Sequence, residues 1–125
     1  MLKEDSSESS QADAKALVVG RLSLNRMSRV ASVDDHEIAL TSAEFELLEY
    51  LAEHAGKVVS RDELFQQVLG MEYNGLDRTI DLRVSRLRRK LKIGAGHSRL
   101  IKSIRSEGYV FAPDAREESP DQRMQ

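Results

Sequence analysis

The pattern of apolar and polar positions divides the chain into a strand-rich start, a helical middle and a strand-rich end. Between positions 17 and 40, apolar residues alternate with polar ones in short runs, separated by the turn-prone Gly20, Asn25 and Asp34-Asp35. Alternation is typical of strands, because successive side chains of a strand point to opposite faces. The pattern predicts three or four short antiparallel strands.

Two helices are predicted next, each introduced by a capping-box pattern and ended by a glycine. Thr41 and Ser60 each stand three residues before a glutamate, Glu44 and Glu63. At this spacing the hydroxyl accepts from the backbone of the third helical residue, while the carboxylate reaches back to the cap. Apolar residues then follow at helical spacing. They are Phe45, Leu48, Leu51, Ala52 and Ala55 in the first helix, and Leu64, Val68 and Leu69 in the second.

A third helix is predicted over residues 77–92, with Asp77 as its N-cap after a loop that contains Asn74-Gly75. Its apolar positions follow the spacing of a helix with one buried stripe. They are Ile80, Val84, Leu87 and Leu91. At about 100° per residue, the opposite side is basic or exposed. It collects Arg78, Leu82, Ser85, Arg86 and Arg89, with Arg83 and Lys90 along one flank and Arg88 at the edge of the apolar stripe.

The chain then returns to strands, with a turn at 106–108 between two short apolar runs, which predicts a hairpin over 100–111. The order sheet, three helices and hairpin defines an α+β fold. Helices 60–69 and 77–92 supply a helix-turn-helix, and the hairpin is placed to serve as a wing. A helix fits the major groove of DNA, and a hairpin beside it can reach the minor groove.

The distribution of charge supports an anionic partner, although the formal net charge is −2. Residues 77–107 contain ten basic and three acidic residues, whereas residues 17–76 contain five basic and ten acidic ones. Residues 1–16 and 113–125 are polar and acidic, which predicts a disordered linker and a disordered tail around a domain at 17–112. One basic end on an otherwise acidic body favours nucleic acid as the partner.

Other classes of function find little support in the composition. The chain contains no cysteine, and its three histidines, His36, His54 and His97, lie far apart, so neither disulfides nor a metal site is expected. No apolar run is long enough to span a membrane. No phosphate-binding glycine loop or catalytic constellation is present, so we expect neither a catalytic site nor a cofactor.

With these elements placed, the chain resembles the winged-helix effector domain of the OmpR/PhoB family of bacterial response regulators, most of all its RstA branch. The resemblance covers about Leu17 to Pro113 and rests on LTSAEFELLEYLAEHAGKVVSRDEL, DRTIDLRVSRLRRKL and IKSIRSEGYVFAP. It implies a cytoplasmic transcription regulator that binds direct repeats in promoter DNA as a head-to-tail dimer. It also implies a phosphorylated receiver domain that this sequence lacks, as if it were the output half of a longer protein.

The resemblance also implies roles for individual residues. Helix 77–92 is expected to be the recognition helix, with Arg78, Arg83 and Arg88 on phosphates and Arg86 on a base edge. Leu82 lies where an apolar side chain can meet a thymine methyl, although it is bulkier than expected there. The remaining predicted contacts are Ser85, Arg89 and Lys90 on the helix, Arg105 near the minor groove and Ser103 on the backbone. The loop 70–76, from Gly70 to Leu76, corresponds to a region that some relatives use to contact RNA polymerase.

The wing departs from the family pattern, which is usually Arg-Gly-x-Gly-Tyr. This chain has Arg105-Ser106-Glu107-Gly108-Tyr109. Because phosphate repels a carboxylate at the tip, we expect Glu107 to point outward. With this substitution, the sequence does not decide whether the wing docks closely on DNA.

Several of these residues also have structural interpretations. We expect Asp81 to pair with a neighbouring arginine rather than read cytosine, and Arg88 to pack its stem at the core edge. Tyr109 and Phe111 are expected to anchor the hairpin in the core. Glutamates at 44, 46, 49 and 53 form an acidic helix face, which we interpret as solvated, with a partner surface as the alternative.

Two alternatives to DNA binding stay open at this point. In one, the domain is a protein-interaction module that docks a partner through the acidic helix face or the loop 70–76. In the other it binds RNA, although the sheet aromatics of common RNA-binding modules are missing. Binding to a DNA duplex at low salt would distinguish the first alternative from the leading hypothesis.

Overall fold

The computed structural model describes residues 16–95 and 100–113. It begins with a four-stranded antiparallel sheet in which each strand pairs with the next one along the chain. The strands are β1 (Ala16–Val19), β2 (Leu22–Asn25), β3 (Val30–Val33) and β4 (His36–Ile38). The predicted strands are therefore confirmed, and β1 includes Ala16, which the sequence assigned to the linker. The rest of the predicted linker, 1–15, and of the predicted tail, 114–125, lies outside the described residues.

The turns of the sheet follow from the residues that the sequence singles out. Asp34 and Asp35 both have positive φ, 51° and 69°, as the two central residues of a tight hairpin turn require. The side-chain oxygen Oδ1 of Asn25 accepts from the backbone amides of Met27 at 2.9 Å and Ser28 at 3.0 Å. Local side-chain chemistry thus sets the register that buries Leu22, Leu24, Ala31 and Val33 on one face.

Helix α1 (Ser42–Glu53) begins with the predicted capping box. The hydroxyl of Thr41 accepts from the backbone amide of Glu44 at 3.2 Å, and the carboxylate of Glu44 accepts from the backbone amide of Thr41 at 2.9 Å. The apolar face of α1 packs against the sheet and the hairpin. Phe45, Leu48 and Leu51 are buried there, as the sequence predicts.

Helix α2 (Arg61–Leu64) continues into a π-helical turn, Phe65–Leu69, and ends at Gly70 with φ 70°. The hydroxyl of Ser60 accepts from the backbone amide of Glu63 at 3.0 Å, but the carboxylate of Glu63 accepts from the Tyr50 hydroxyl instead of returning to the cap. Only half of the second predicted capping box is therefore present.

The inner face of α2 also differs from the prediction. Phe65, which the sequence did not assign to this face, is fully buried, whereas Val68 and Leu69 are only partly buried. The ordinary helical period already places Phe65 between Val68 and Leu69 on this face. The π-helical turn, whose wider hydrogen-bonding pattern departs from the 3.6-residue period, accounts for the partial exposure of Val68 and Leu69.

Helix α3 (Thr79–Ala95) packs its apolar stripe against α1 and β4. Asp77, which the sequence predicts as the N-cap, lies one residue before that position, because the first intrahelical hydrogen bond goes to the carbonyl of Arg78. Its carboxylate still accepts from the backbone amide of Thr79, the first residue of the helix, at 2.9 Å. The helix starts two residues later than the predicted range 77–92 and runs three residues further. Gly94 does not end it, because one glycine costs only about 1 kcal/mol in a helix that tertiary packing stabilises.

The terminal hairpin consists of β5 (Ile101–Ile104) and β6 (Gly108–Phe111), which confirms the predicted wing. The segment before α2 extends it, because Val59 and Tyr109 exchange backbone hydrogen bonds of 2.7 and 2.9 Å. A Cβ on Gly108 would lie 2.0 Å from the carbonyl oxygen of Val59. Glycine is therefore required where the wing meets the helical body.

The core is continuous from the sheet to the wing. Its buried members include Leu24 and Ile38 of the sheet, Phe45 of α1, Leu87 of α3 and Phe111 of the wing. In the described part of the chain, no helix is long and apolar enough to cross a membrane.

Ser106 has φ 66°, in the left-handed region that favours glycine, where the family pattern has glycine. Replacing Ser106 with glycine is expected to raise the free energy of unfolding by about 0.5 kcal/mol. Glycine relieves the backbone strain of the folded turn, and this gain exceeds the loss caused by the greater conformational entropy of glycine in the unfolded chain. Urea unfolding measures the change. Ser32→Gly, in the regular strand β3, is the control and should lower stability. An unchanged or lower stability of Ser106→Gly would contradict the assignment of strain to this turn.

Candidate nucleic-acid interface

One face of α3 is buried and the opposite face is basic and exposed. The stripe of Ile80, Val84, Leu87 and Leu91 is at most 1% exposed. The side chains predicted on the opposite face are all exposed, which confirms the amphipathic arrangement. They are Arg78, Leu82, Ser85, Arg86 and Arg89. We call these five residues the basic face. Arg83 lies at its flank and is half-buried.

Lys90, which the sequence predicts at the interface, contacts the body of the domain instead of joining the basic face. Its ammonium Nζ lies 2.7 Å from Oε1 of Glu44, the carboxylate of the first capping box. Burial opposes the ionisation of Glu44, but hydrogen bonds from Lys90 and Thr41 outweigh it and lower the pKa of the carboxyl. The ion pair between Lys90 and Glu44 therefore links α3 to α1.

Asp81 joins three elements at the start of α3. It accepts from Arg61 Nε on α2 at 2.8 Å and from the hydroxyl of Tyr109 on β6, and Arg78 Nε lies 3.7 Å away. Burial opposes its ionisation, but the hydrogen bonds from Tyr109 and Arg61 keep the pKa of Asp81 below its ordinary value. The prediction that Asp81 pairs with arginine is confirmed.

Arg88 contacts the wing. Its Nε donates to the backbone carbonyl of Ile101 at 3.0 Å, and its Nη2 donates to the hydroxyl of Ser103 at 2.6 Å. Burial lowers the pKa of the Arg88 guanidinium. The predicted structural role of Arg88 at the core edge agrees with this position. Ser103, another predicted interface residue, is exposed and serves as the acceptor for Arg88.

The remaining predicted wing residues lie at the tip of the hairpin. Arg105, Ser106 and Glu107 are all exposed, and the backbone amide of Glu107 closes the turn by donating to the carbonyl of Ile104 at 2.9 Å. Arg105 is thus presented to solvent directly after the end of β5. Tyr109 and Phe111 are buried, which confirms their predicted role as anchors.

A cavity of about 450 Å³ opens between α3, the preceding loop and β6. Its lining combines three arginines with apolar and hydroxyl groups. The lining residues are Arg61, Tyr73, Gly75, Leu76, Arg78, Asp81, Leu82, Ser85, Arg88 and Tyr109. The cavity adjoins the basic face. A ligand group bound to this face can therefore also reach the side chains that line the cavity at the start of α3.

The acidic face of α1 is covered by a turn of the sheet. Arg26 lies 2.7 Å from a carboxylate oxygen of Glu49 and 2.6 Å from one of Glu53, and Arg29 lies 3.3 Å from one of Glu46. The sequence left these glutamates as either a solvated face or a partner surface. Their pairing inside the domain removes most of the charge that a basic partner would recognise.

The loop between Gly70 and Asp77 presents apolar side chains to solvent. Leu76 is 82% exposed and Met71 is 51% exposed. The side chain of Asn74 organises the end of this loop, because its oxygen accepts from the backbone amides of Leu76 at 2.8 Å and Asp77 at 2.9 Å. These two apolar side chains are therefore accessible to a partner.

Sequence reasoning missed Arg61 and the hydrogen bond of Tyr109. Arg61 stands in a capping pattern, where it reads as an ordinary surface charge, and its partner Asp81 follows 20 positions later. A lone carboxylate on an otherwise basic helix is the one signal that could have indicated such a partner. Within the ranges 16–95 and 100–113, no group of three or more acidic or histidine side chains could hold a metal ion.

A helix-turn-helix with a basic second helix and a hairpin beside it defines a winged-helix domain. The family model described as transcriptional regulatory protein, C terminal, matches residues 35–111. The chain belongs to this family, within the OmpR/PhoB group that the sequence indicates.

Relatives and solved structures agree with this assignment. The transcriptional regulatory protein RstA of Escherichia coli (strain K12) is 44% identical over 108 residues, which cover 86% of this chain and 45% of RstA. The chain thus spans less than half the length of this relative. The crystal structure of the Klebsiella pneumoniae RstA DNA-binding domain in complex with the RstA box superposes with a TM-score of 0.71 at 38% identity, covering 79% of this chain and 98% of that one.

A third comparison has a lower sequence identity. The response regulator DrrB of Thermotoga maritima, an OmpR/PhoB homologue, has a TM-score of 0.64 at 30% identity and is covered over 44% of its length by 78% of this chain. The fold is therefore shared well beyond the RstA relatives.

Proposed function

We propose that the chain is the DNA-binding output unit of a two-component transcriptional regulator and acts by binding, without catalysis. The observation that carries the proposal is the basic face of α3, which lies opposite a fully buried stripe and beside the wing. In this proposal α3 lies in the major groove of promoter DNA, and the wing lies near the minor groove. The DNA complex of the Klebsiella RstA domain supports it.

The proposed contacts with DNA are of two kinds, those with phosphates and those with bases. Arg78, Arg83 and Arg89 bind phosphates and set the register of α3, whereas Arg86 reads a base edge, preferably guanine, because a guanidinium can pair with two acceptors there. Leu82, which is 53% exposed, meets a thymine methyl. Ser85 lies beside it on the basic face, and Arg105 approaches the minor groove from the wing.

The three other predicted contact residues already have partners inside the domain. Arg88 and Ser103 bond to each other, and Lys90 pairs with Glu44. We therefore give these three residues no direct contact with DNA and assign the interface to the basic face, Arg83 and Arg105.

Membership of the family supports a proposal for the larger assembly. We propose that two copies bind direct repeats head to tail in the bacterial cytoplasm, under the control of a phosphorylated receiver domain on the same protein. The loop 70–76 is a candidate contact for RNA polymerase, which the exposure of Met71 and Leu76 supports. In the alternative function, the domain is a protein-interaction module that docks a partner through the same loop. Absence of duplex binding at low salt would favour this alternative.

Replacing Arg83 with alanine is expected to weaken binding to all duplexes alike and to flatten the dependence of log K on log salt by about one unit, since one phosphate contact is lost. Titration of a duplex at several salt concentrations measures the slope. Arg29→Ala is the matched control, because it removes the same charge from the acidic side of the domain, where Arg29 pairs with Glu46. Equal slopes for wild type and Arg83→Ala would exclude the phosphate contact.

A further inference from the structure

The contacts of Arg88 span both strands of the wing. Ile101 and Ser103, which accept its two hydrogen bonds, both lie on β5. Its guanidinium carbon also lies 5.6 Å from the ring centroid of Tyr109, the residue of β6 that pairs with Ser103. One side chain of α3 therefore holds a backbone carbonyl, a hydroxyl and an aromatic ring of the hairpin.

Tyr109 is itself held in place by contacts with other elements. Its hydroxyl donates to Asp81 on α3, and Arg61 of α2 lies 5.0 Å from its ring centroid. The backbone of Tyr109 is bonded to Val59 in both directions. Because Tyr109 is only 4% exposed and bound on all these sides, it gives Arg88 a rigid surface against which to position β5.

The geometry requires arginine in particular. Nε and Nη2 of a planar guanidinium donate in fixed directions to two acceptors, and the plane also packs on an aromatic ring. A lysine at this position keeps the charge but provides only a single compact ammonium, so it cannot satisfy the carbonyl of Ile101 and the hydroxyl of Ser103 in the same way.

We infer that Arg88 is a positioning residue that sets the angle between the recognition helix and the wing, and that it does so in place of a phosphate contact. The consequence for DNA rests on the proposed function: the angle determines whether Arg105 reaches the minor groove while the basic face occupies the major groove. The contact between Arg88 and the wing exists in the free domain.

The test compares Arg88→Lys with Arg83→Lys in the full 125-residue chain. A lysine can replace an arginine at a phosphate as a point charge, but it cannot replace the two-acceptor contact with the wing. The first measurement is amide hydrogen exchange in the free protein at residues 101–104 and 108–111. The second is the affinity and salt slope for a duplex selected from a random pool, with protection of its minor groove from chemical cleavage.

For Arg88→Lys we expect exchange in the wing to accelerate about tenfold, because local opening becomes easier. Affinity should fall about three- to tenfold, as expected for the loss of one net hydrogen bond, with an unchanged salt slope and loss of minor-groove protection. Arg83→Lys should leave exchange in the wing unchanged. Ser103→Ala, which removes only one acceptor, should change wing exchange and affinity in the same direction by less.

The inference is overturned if Arg88→Lys retains wild-type wing exchange and affinity while Arg88→Met reduces the salt slope by about one unit, since that pattern identifies a phosphate contact. If the wild-type chain binds no duplex, the proposed function fails. Exchange in the free protein would still decide whether Arg88 positions the wing. The two failures are therefore distinguishable.

Discussion

Replacing Gly108 with alanine is expected to lower the free energy of unfolding by about 3 kcal/mol or more, combining overpacking with backbone strain. The added Cβ would lie 2.0 Å from the Val59 carbonyl oxygen and 2.8 Å from the Ser60 Cα, distances at which backbone has to move. Gly108 also has φ 150°, a conformation that side chains disfavour. Relief requires separation of Val59 from Tyr109, which breaks both of their backbone hydrogen bonds.

Equilibrium urea unfolding measures this loss. The matched control is Gly75→Ala, because Gly75 also has positive φ, 85°, but no atom lies within 4 Å of its Cβ position. Gly75→Ala should therefore lose only about 1–2 kcal/mol of stability, from backbone strain alone. Equal losses in the two variants would mean that the close approach of the wing to the segment before α2 does not contribute to stability.

Replacing Arg86 with alanine is expected to weaken binding to the preferred duplex by about 1–3 kcal/mol and to relax the preference at one base position. Arg86 is exposed at the middle of the basic face, one helical turn from Leu82, and no intramolecular partner restrains it among the described contacts. A free guanidinium in the major groove can donate to both acceptors of a guanine edge, and alanine leaves those acceptors unpaired.

Selection from random duplexes with wild type and variant measures the change in preference. Arg83→Ala is the comparison, since it should weaken all sequences alike and leave the selected motif intact. If Arg86→Ala selects the same motif with the same preference at every position, the assignment of Arg86 to base readout is wrong.

The sequence predicts those features that depend on neighbours along the chain. The Asp34-Asp35 turn, the Thr41 capping box and the buried stripe of α3 are all set within a few residues, and the structure contains each of them. Local patterns record these features because turn chemistry and helical periodicity act over one or two turns.

The features that sequence reasoning missed depend on contacts between distant residues. The pair of Arg61 and Asp81 joins positions 20 apart, and the pair of Lys90 and Glu44 joins positions 46 apart. Helical geometry placed Lys90 correctly on a flank of α3, but it could not show that α1 supplies a carboxylate there. The same limit applies to Ser103, which became a partner of Arg88 only when the wing folded against α3.

The boundaries of α2 and α3 show a second limit. A π-helical turn follows Leu64 in place of a regular helix, and α3 continues through Gly94. In both places the packing of the body outweighed local preference, which amounts to about 1 kcal/mol or less per residue. The identity of the basic face was unaffected, because it depends on the period of α3 and not on its ends.

In the proposed function, the basic face and the wing read a particular DNA sequence. The most direct test is titration of the chain against a pool of random duplexes at two salt concentrations, with sequencing of the bound DNA. We expect enrichment of a direct-repeat motif that persists at the higher salt, where phosphate contacts alone weaken steeply. Binding that depends steeply on salt but enriches no motif, or no binding at either salt, would contradict it.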